Sequence, residues 1–202
     1  IGATMAQVQR KRELGTIGSI AADAALKRLV PHQSRLEMVA GVTRMYQRSG
    51  LQSLVRGSGL LKRIAPTLGH LEESLPAISA TRFRAAGQVI RPKGEVRDRV
   101  ALLSGCIMPL VNGPEMNAVV RILSRNGVEV VVPKNQGCCG AINSHVGDLD
   151  MTRELARRNI DAFLADQVDA IVVASAGCGV RMKEYDHLLA DDSEYRDRAI
   201  QV

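Results

Sequence analysis

The sequence predicts an α/β protein in which a parallel βαβαβ sheet is preceded by an α-helical basic segment. Short apolar runs alternate with amphipathic helical patterns after residue 98, whereas only helical patterns occur in residues 1–65. The charge also changes, because residues 1–100 carry 17 Lys and Arg against 7 Asp and Glu, while residues 101–202 carry 10 against 14. Glycine lies beside each of the four cysteines, which come shortly after the predicted strands.

The basic segment, residues 1–65, is predicted to contain three helices. Apolar and basic positions recur at helical spacing over residues 5–30, 34–48 and 51–64. Residues 66–97 contain prolines, glycines and small polar residues without a clear period. They are therefore predicted to form a linker with one short helix.

The α/β domain is predicted to cover residues 98–202. Amphipathic helices are predicted at residues 112–125 and 148–166. Three apolar runs that are typical of strands buried on both faces surround them, at residues 100–103, 128–132 and 170–174. Strands joined by helices lie parallel, so the loops that follow them meet at one edge of the sheet, where open α/β sheets bind ligands.

Composition argues against a nucleic-acid-binding, a membrane-spanning and a secreted protein. The 202 residues include no Trp, two Phe and three Tyr, so few rings could stack on bases. No run of about 18 apolar residues could span a bilayer. A vicinal cysteine pair rarely forms an internal disulfide and no signal peptide is visible, which predicts a reducing, cytoplasmic location.

Because the chain starts at Ile1 and stops at Val202 without an evident final element, we expect a piece of a longer protein.

The four cysteines, Cys106, Cys138, Cys139 and Cys178, are predicted to bind a metal cluster at that edge of the sheet. Neighbouring glycines leave room for a thiolate to approach a metal and permit the positive φ of a tight turn. The side chains of the adjacent pair diverge, which makes closure onto one tetrahedral ion awkward and favours iron–sulfur over zinc. An isolated cysteine is more often a buried apolar residue. The combination of glycines, pairing and strand ends is what indicates ligands.

The histidines are not predicted to bind metal, and no catalytic residue is predicted in this chain. His32, His70 and His187 occur at a helix end, in a loop and on a polar helix, where surface positions are typical. His145 follows the cysteine pair by six residues. A hydrogen bond from His145 or Ser144 to a cluster sulfur is expected to tune its potential without ligating iron.

Several short motifs around the cysteines carry a family resemblance: Leu103-Ser104-Gly105-Cys106, Asn117-Ala118, Gly137-Cys138-Cys139-Gly140-Ala141, Arg158-Asn159-Ile160-Asp161, Ser175-Ala176-Gly177-Cys178-Gly179 and Lys183-Glu184-Tyr185. This pattern resembles the cysteine-rich CCG domain of heterodisulfide reductases and of the iron–sulfur subunits of glycolate, lactate and anaerobic glycerol-3-phosphate dehydrogenases. The chain is most similar to the glycolate dehydrogenase subunits. The basic residues 28–99 also resemble the segment that precedes their first CCG domain.

The resemblance implies an electron-transfer subunit in which the four cysteines hold a [4Fe–4S] cluster. An FAD-containing dehydrogenase subunit would oxidise a 2-hydroxy acid such as glycolate, and this chain would relay the electrons toward a quinone. Family members also carry two ferredoxin-type motifs upstream and a second CCG domain downstream. Where heterodisulfide reductase has Cys-x-x-Cys, this sequence has Cys178-Gly179-Val180-Arg181. A heterodisulfide-reductase-like thiol protein and a structural zinc module stay open as alternatives.

The basic first half has two interpretations of similar weight. Its cationic helix faces could be solvated or could pack on other domains. Alternatively, amphipathic basic helices could bind an anionic lipid surface, with a gain of about 1 kcal/mol per basic residue near that surface. Peripheral contact with the inner face of the cell membrane is therefore predicted beside the cytoplasmic location.

Overall fold

The fold combines a row of helices with a four-stranded sheet that has helices on both faces. The computed structural model describes residue 25 and residues 27–202. The predicted helix at residues 5–30 lies almost entirely outside this part of the chain. The α/β architecture and the helical segment before it are confirmed in the described residues.

The first helices follow one another with very short connections. Gly59 adopts a left-handed φ of 61°, which divides the predicted helix at residues 51–64 into two. The next helix starts with Pro66 at its first position, where the missing N–H costs no hydrogen bond. The helices before the sheet whose full bounds lie in the described residues are α1 (Gln33–Arg48), α2 (Leu51–Ser58), α3 (Leu60–Ile64) and α4 (Pro66–Glu73).

The sheet contains three parallel strands, as predicted, and one antiparallel strand that the sequence did not indicate. Its strands are β1 (Val89–Ile90), β2 (Asp98–Leu103), β3 (Val128–Val131) and β4 (Ala170–Val173), in the order β1-β3-β2-β4. Val100 of β2 lies opposite Val130 of β3 on one side and opposite Ala170 of β4 on the other. The central position of β2 places its carboxyl end between those of β3 and β4.

Helices cover both faces of this sheet. Along β2, Val100 and Leu102 point to one face and Ala101 and Leu103 to the other, because side chains alternate along a strand. The helices of this half are α5 (Met108–Val111), α6 (Gly113–Arg125), α7 (Ala141–His145), α8 (Leu149–Leu164), α9 (Ala176–Lys183), α10 (Tyr185–Leu188) and α11 (Arg196–Ala199). Helix α6 covers the first face and α8 the second. Complete burial of one such Leu contributes about 1.5–3 kcal/mol.

The basic segment makes its main apolar contact at the carboxyl edge of the sheet. Leu36 and Ala40 of α1 are buried in a cluster that also contains Leu110 and Leu155. Helices α2 and α3 bury none of their own residues. No helix in the described part of the chain has the length and apolar character needed to cross a membrane.

Candidate metal centre

The structure brings the four predicted ligand cysteines together at the carboxyl edge of the sheet. Cys106 follows β2, Cys138 and Cys139 follow β3, and Cys178 lies in the first turn of α9 after β4. Cys138 and Cys139 are each 2% exposed, Cys106 is 8% exposed, and Cys178 is only partly buried. All four are free thiols. Their assignment as ligands stays a prediction.

The thiols interact with one another in the order Cys106, Cys138, Cys139, Cys178. The Sγ atoms of Cys106 and Cys138 are 3.5 Å apart. This hydrogen bond lowers the pKa of Cys106 and raises that of Cys138 to about 12. Hydrogen bonding with the preceding cysteine raises the pKa of Cys139 and of Cys178 in the same way. Metal binding would therefore have to displace protons from at least three thiols, so it is favoured by higher pH.

Backbone N–H groups stabilise negative charge on the three buried sulfurs. The N–H of Gly140 donates to Cys138 Sγ at 3.5 Å. The N–H groups of Ile107 and Ala141 lower the pKa of Cys106 and of Cys139 respectively by the same kind of bond. Gly140 has a φ of 82°, a conformation that other residues rarely adopt. The glycine beside the pair thus shapes a turn whose N–H groups face sulfur.

Gln136 joins the two loops that carry Cys106 and the cysteine pair. Its Oε1 accepts a hydrogen bond from the N–H of Ser104 at 2.7 Å, and its Nε2 donates to the carbonyl of Leu102 at 2.9 Å. The side chain is 7% exposed. This residue was not identified from the sequence, where the only signal was a polar amide directly before a glycine-cysteine motif.

Asn159 and Tyr185 fix the backbone of the cysteine pair. Asn159 Oδ1 accepts from the N–H of Gly137 at 2.9 Å, and its Nδ2 donates to the carbonyl of Cys138 at 2.9 Å and to Tyr185 Oη at 3.1 Å. Tyr185 Oη in turn donates to the carbonyl of Cys139 at 3.0 Å. Both side chains are 0% exposed, and burial raises the pKa of Tyr185 so that it stays a neutral donor. The sequence motifs contained both residues without indicating their role.

Arg158 connects the basic segment to the same loop. Its guanidinium donates to the carbonyls of Asn135 at 2.8 Å, Gln136 at 3.3 Å and Pro31 at 3.3 Å. Next to this contact, Leu36 and Ala40 of α1 pack in the cluster that contains Cys106 and Cys138. Helix α1 therefore covers one side of the cysteine site.

His32, His70 and His187 are exposed, as predicted, and His145, which was expected to lie near the cluster, is exposed as well. Ser144 is 8% exposed. Among the hydrogen bonds of the described residues, none joins Ser144 or His145 to a cysteine sulfur. A hydrogen bond with the side chain of Ser175 lowers the pKa of Cys178. The hydrogen bond with Cys139 and the burial of the thiol raise this pKa more strongly.

The donor set fits an iron–sulfur cluster. Four thiols, on two loops and in the first turn of α9, offer soft ligands, and backbone N–H groups stabilise the charge of three of them. Within residue 25 and residues 27–202, no three His, Cys, Asp or Glu side chains surround one point as they would around a single ion. A cluster of several irons does not need such convergence, since each thiolate binds a different iron.

Comparison with known proteins gives two matched segments. Residues 19–75 match the family described as the linker region of the glycolate oxidase iron–sulfur subunit, and residues 100–183 match the cysteine-rich domain family. A probable glycolate oxidase iron–sulfur subunit of Bacillus subtilis is 39% identical over 176 residues, which are 87% of this chain and 40% of that protein. The glycolate oxidase iron–sulfur subunit of Escherichia coli is 31% identical over 160 residues, or 77% of this chain and 39% of the relative.

A lactate utilization protein A of Exiguobacterium is 33% identical over 100 residues, half of this chain and 41% of the relative. The chain thus spans about two fifths of the length of these curated relatives. No solved structure matches it.

Proposed function

Because the chain belongs, through its linker region and its cysteine-rich domain, to the family of glycolate oxidase iron–sulfur subunits, we propose that it relays electrons through a [4Fe–4S] cluster held by Cys106, Cys138, Cys139 and Cys178. A cluster held there would supply a carrier of single electrons. The observation that carries the proposal is that the four thiols interact with one another in a row. This row connects the ends of three strands.

The protein's own residues would hold and insulate this carrier. Gln136 and Asn159 fix the loops that present the thiols, and α1 excludes water on the side of Cys106 and Cys138. Cys178 is the most exposed of the four thiols, and Val180 beside it is 60% exposed. Electrons would pass to or from a partner most directly at this exposed end of the site.

The names of the relatives suggest the reaction that this relay serves. The electron donor would be an FAD-containing subunit that oxidises a 2-hydroxy acid, with glycolate as the first choice, and the final acceptor would be a quinone. Such a role requires no acid, base or nucleophile from this chain. Arg181 occupies the position where heterodisulfide reductase has a further thiol, and it pairs with Glu184 at 3.1 Å. This replacement favours electron relay over disulfide chemistry.

Anaerobic purification followed by iron and acid-labile sulfide analysis tests the proposal. We expect iron and sulfide in equal amounts, about four of each per chain, with a redox-active spectrum. Zinc without sulfide would contradict it and favour a structural zinc module. An intact cluster that reacts with disulfide substrates without a flavoprotein donor would instead favour the heterodisulfide-reductase-like alternative.

We also propose that the basic segment contacts the inner face of the cell membrane, which would place the protein in the cytoplasm at that surface. Large apolar side chains are exposed on helices α1 to α4, among them Met38, Met45, Leu54, Ile64 and Leu68, with exposed fractions from 57% to 74%. Basic residues alternate with them: Arg44, Arg48, Arg56, Lys62 and Arg63. Apolar insertion and attraction to anionic lipid would then act together.

Vesicle flotation of the whole chain tests this contact. We expect binding to vesicles that contain anionic lipid, no binding to neutral vesicles, and a loss of at least tenfold in the Leu54→Glu variant, because the apolar side chain is 71% exposed there. Ile122→Glu is the matched control, since Ile122 is 61% exposed on α6, outside the basic segment. Equal flotation of the two variants, or none by the unmodified chain, would assign the apolar helices to packing against another part of the protein.

A further inference from the structure

A buried amide next to the cysteine pair has no hydrogen-bond partner. Asn143 is 0% exposed, and neither its Nδ2 nor its Oδ1 makes a hydrogen bond in the structure. In the part of the chain that the structure describes, no other side chain has two buried polar atoms in this condition. A buried amide without partners is destabilising, and in native proteins it usually meets a ligand or an ordered water.

The position of Asn143 indicates which ligand this is. It lies on α7, which starts directly after Cys138-Cys139-Gly140 and packs against both α8 and α9. Helix α9 carries Cys178 in its first turn. On α7, Ile142 and His145 are exposed while Asn143 and Ser144 are buried, so the helix turns Asn143 toward the protein interior. The buried amide thus lies on a helix that directly follows the cysteine pair and packs against the helix that carries Cys178.

A second buried amide, that of Asn159, does have hydrogen-bond partners, unlike Asn143. Asn159 is also 0% exposed, but both of its polar atoms are used in bonds to the loop of the cysteine pair and to Tyr185. The fold therefore satisfies one buried amide near the cysteines and leaves the other without a protein partner. Under the proposed function this region holds an iron–sulfur cluster, which is rich in sulfur and negatively charged. The Nδ2 of an amide can donate a hydrogen bond to such a group.

We propose that Asn143 Nδ2 donates a hydrogen bond to a sulfur of the cluster and raises its reduction potential. The inference rests on the proposed function, because it needs a cluster on the four thiols. The reduced cluster carries one more negative charge than the oxidised cluster. A hydrogen-bond donor at a sulfur therefore stabilises the reduced cluster more, and reduction becomes easier. This role falls to Asn143 and not to His145, which is exposed.

The test compares Asn143→Leu with the unmodified chain, with and without the cluster. Leu has a similar size and no polar atom, so the variant with iron removed should unfold at a higher temperature than the unmodified chain without iron. With the cluster bound to the variant, the midpoint potential of the cluster should fall by up to about 59 mV. This shift corresponds to a tenfold change in the equilibrium constant of one-electron reduction. The cluster should also be lost faster in the presence of a chelator. Opposite effects on the empty and loaded forms are the signature of a donor to the cluster.

Two further variants complete the experiment. Asn143→Ala should lower the potential in the same direction, and it replaces the Leu variant if that chain does not fold. His145→Ala, on the same helix, should leave both the potential and the unfolding temperature unchanged. A cluster with an unaltered potential in both Asn143 variants would overturn this inference and point to a buried water, whereas an unmodified chain that binds no cluster would overturn the proposed function itself.

Discussion

Replacing Asn159 by Leu is expected to destabilise the chain by about 3–5 kcal/mol and to prevent stable cluster binding. The substitution removes three hydrogen bonds: the part-buried bond from the N–H of Gly137 and the two buried bonds to the carbonyl of Cys138 and to Tyr185 Oη. Each unsatisfied buried group costs about 1–3 kcal/mol, and the bonds to Cys138 and Tyr185 are both buried. The loop that presents the cysteine pair would lose its fixed backbone.

Urea denaturation of the chain without iron measures the loss of stability, and iron content after anaerobic gel filtration measures cluster retention. Tyr185→Phe removes only the hydroxyl that donates to the carbonyl of Cys139, so we expect a smaller loss of about 1–2 kcal/mol. Asn117→Leu is the matched control, because Asn117 makes a single side-chain bond, to the carbonyl of Gly113 on its own helix α6, and that bond does not involve the cysteine loops. If Asn159→Leu were no more harmful than Asn117→Leu, the network would not be what holds the cysteine loop.

The parallel sheet and the meeting of the cysteines could be predicted from the sequence, because both depend on local periodicity and on one topological rule. Apolar runs at residues 100–103, 128–132 and 170–174 are short and separated by amphipathic helices, and parallel strands leave their following loops at one edge. This reasoning requires no knowledge of individual contacts. The strand β1 was missed because two residues in a proline- and glycine-containing segment carry no measurable alternation.

The residues that fix the site could not be found in the same way. Asn159 and Gln136 resemble the solvated polar residues that occur on any helix or loop, and their partners lie 21 to 34 residues away along the chain. The contact of α1 with the cysteine loops presents a similar difficulty. An amphipathic pattern shows that a helix has an apolar face, but it does not show what Leu36 and Ala40 pack against.

Removing single cysteines is expected to have the largest effect on the cluster, and the effect should depend on position. Cys138→Ala should abolish the cluster, because Cys138 is 2% exposed and contacts both Cys106 and Cys139. Cys178→Ala should leave at most an incomplete, short-lived cluster, since Cys178 is partly exposed at the end of the row and interacts mainly with Cys139. Anaerobic iron and sulfide analysis with electron paramagnetic resonance of the reduced protein distinguishes these states.

The matched control is Ser144→Ala, which changes a buried small side chain in the same region without removing a sulfur contact. Its iron content should equal that of the unmodified chain. A Cys178→Ala variant with a full, unaltered cluster signal would remove Cys178 from the ligand set and require a ligand from another source. If all four cysteine variants lost iron equally while their folded stability was unchanged, each thiol would be an obligatory ligand, and the position of a cysteine in the row would have no influence on retention.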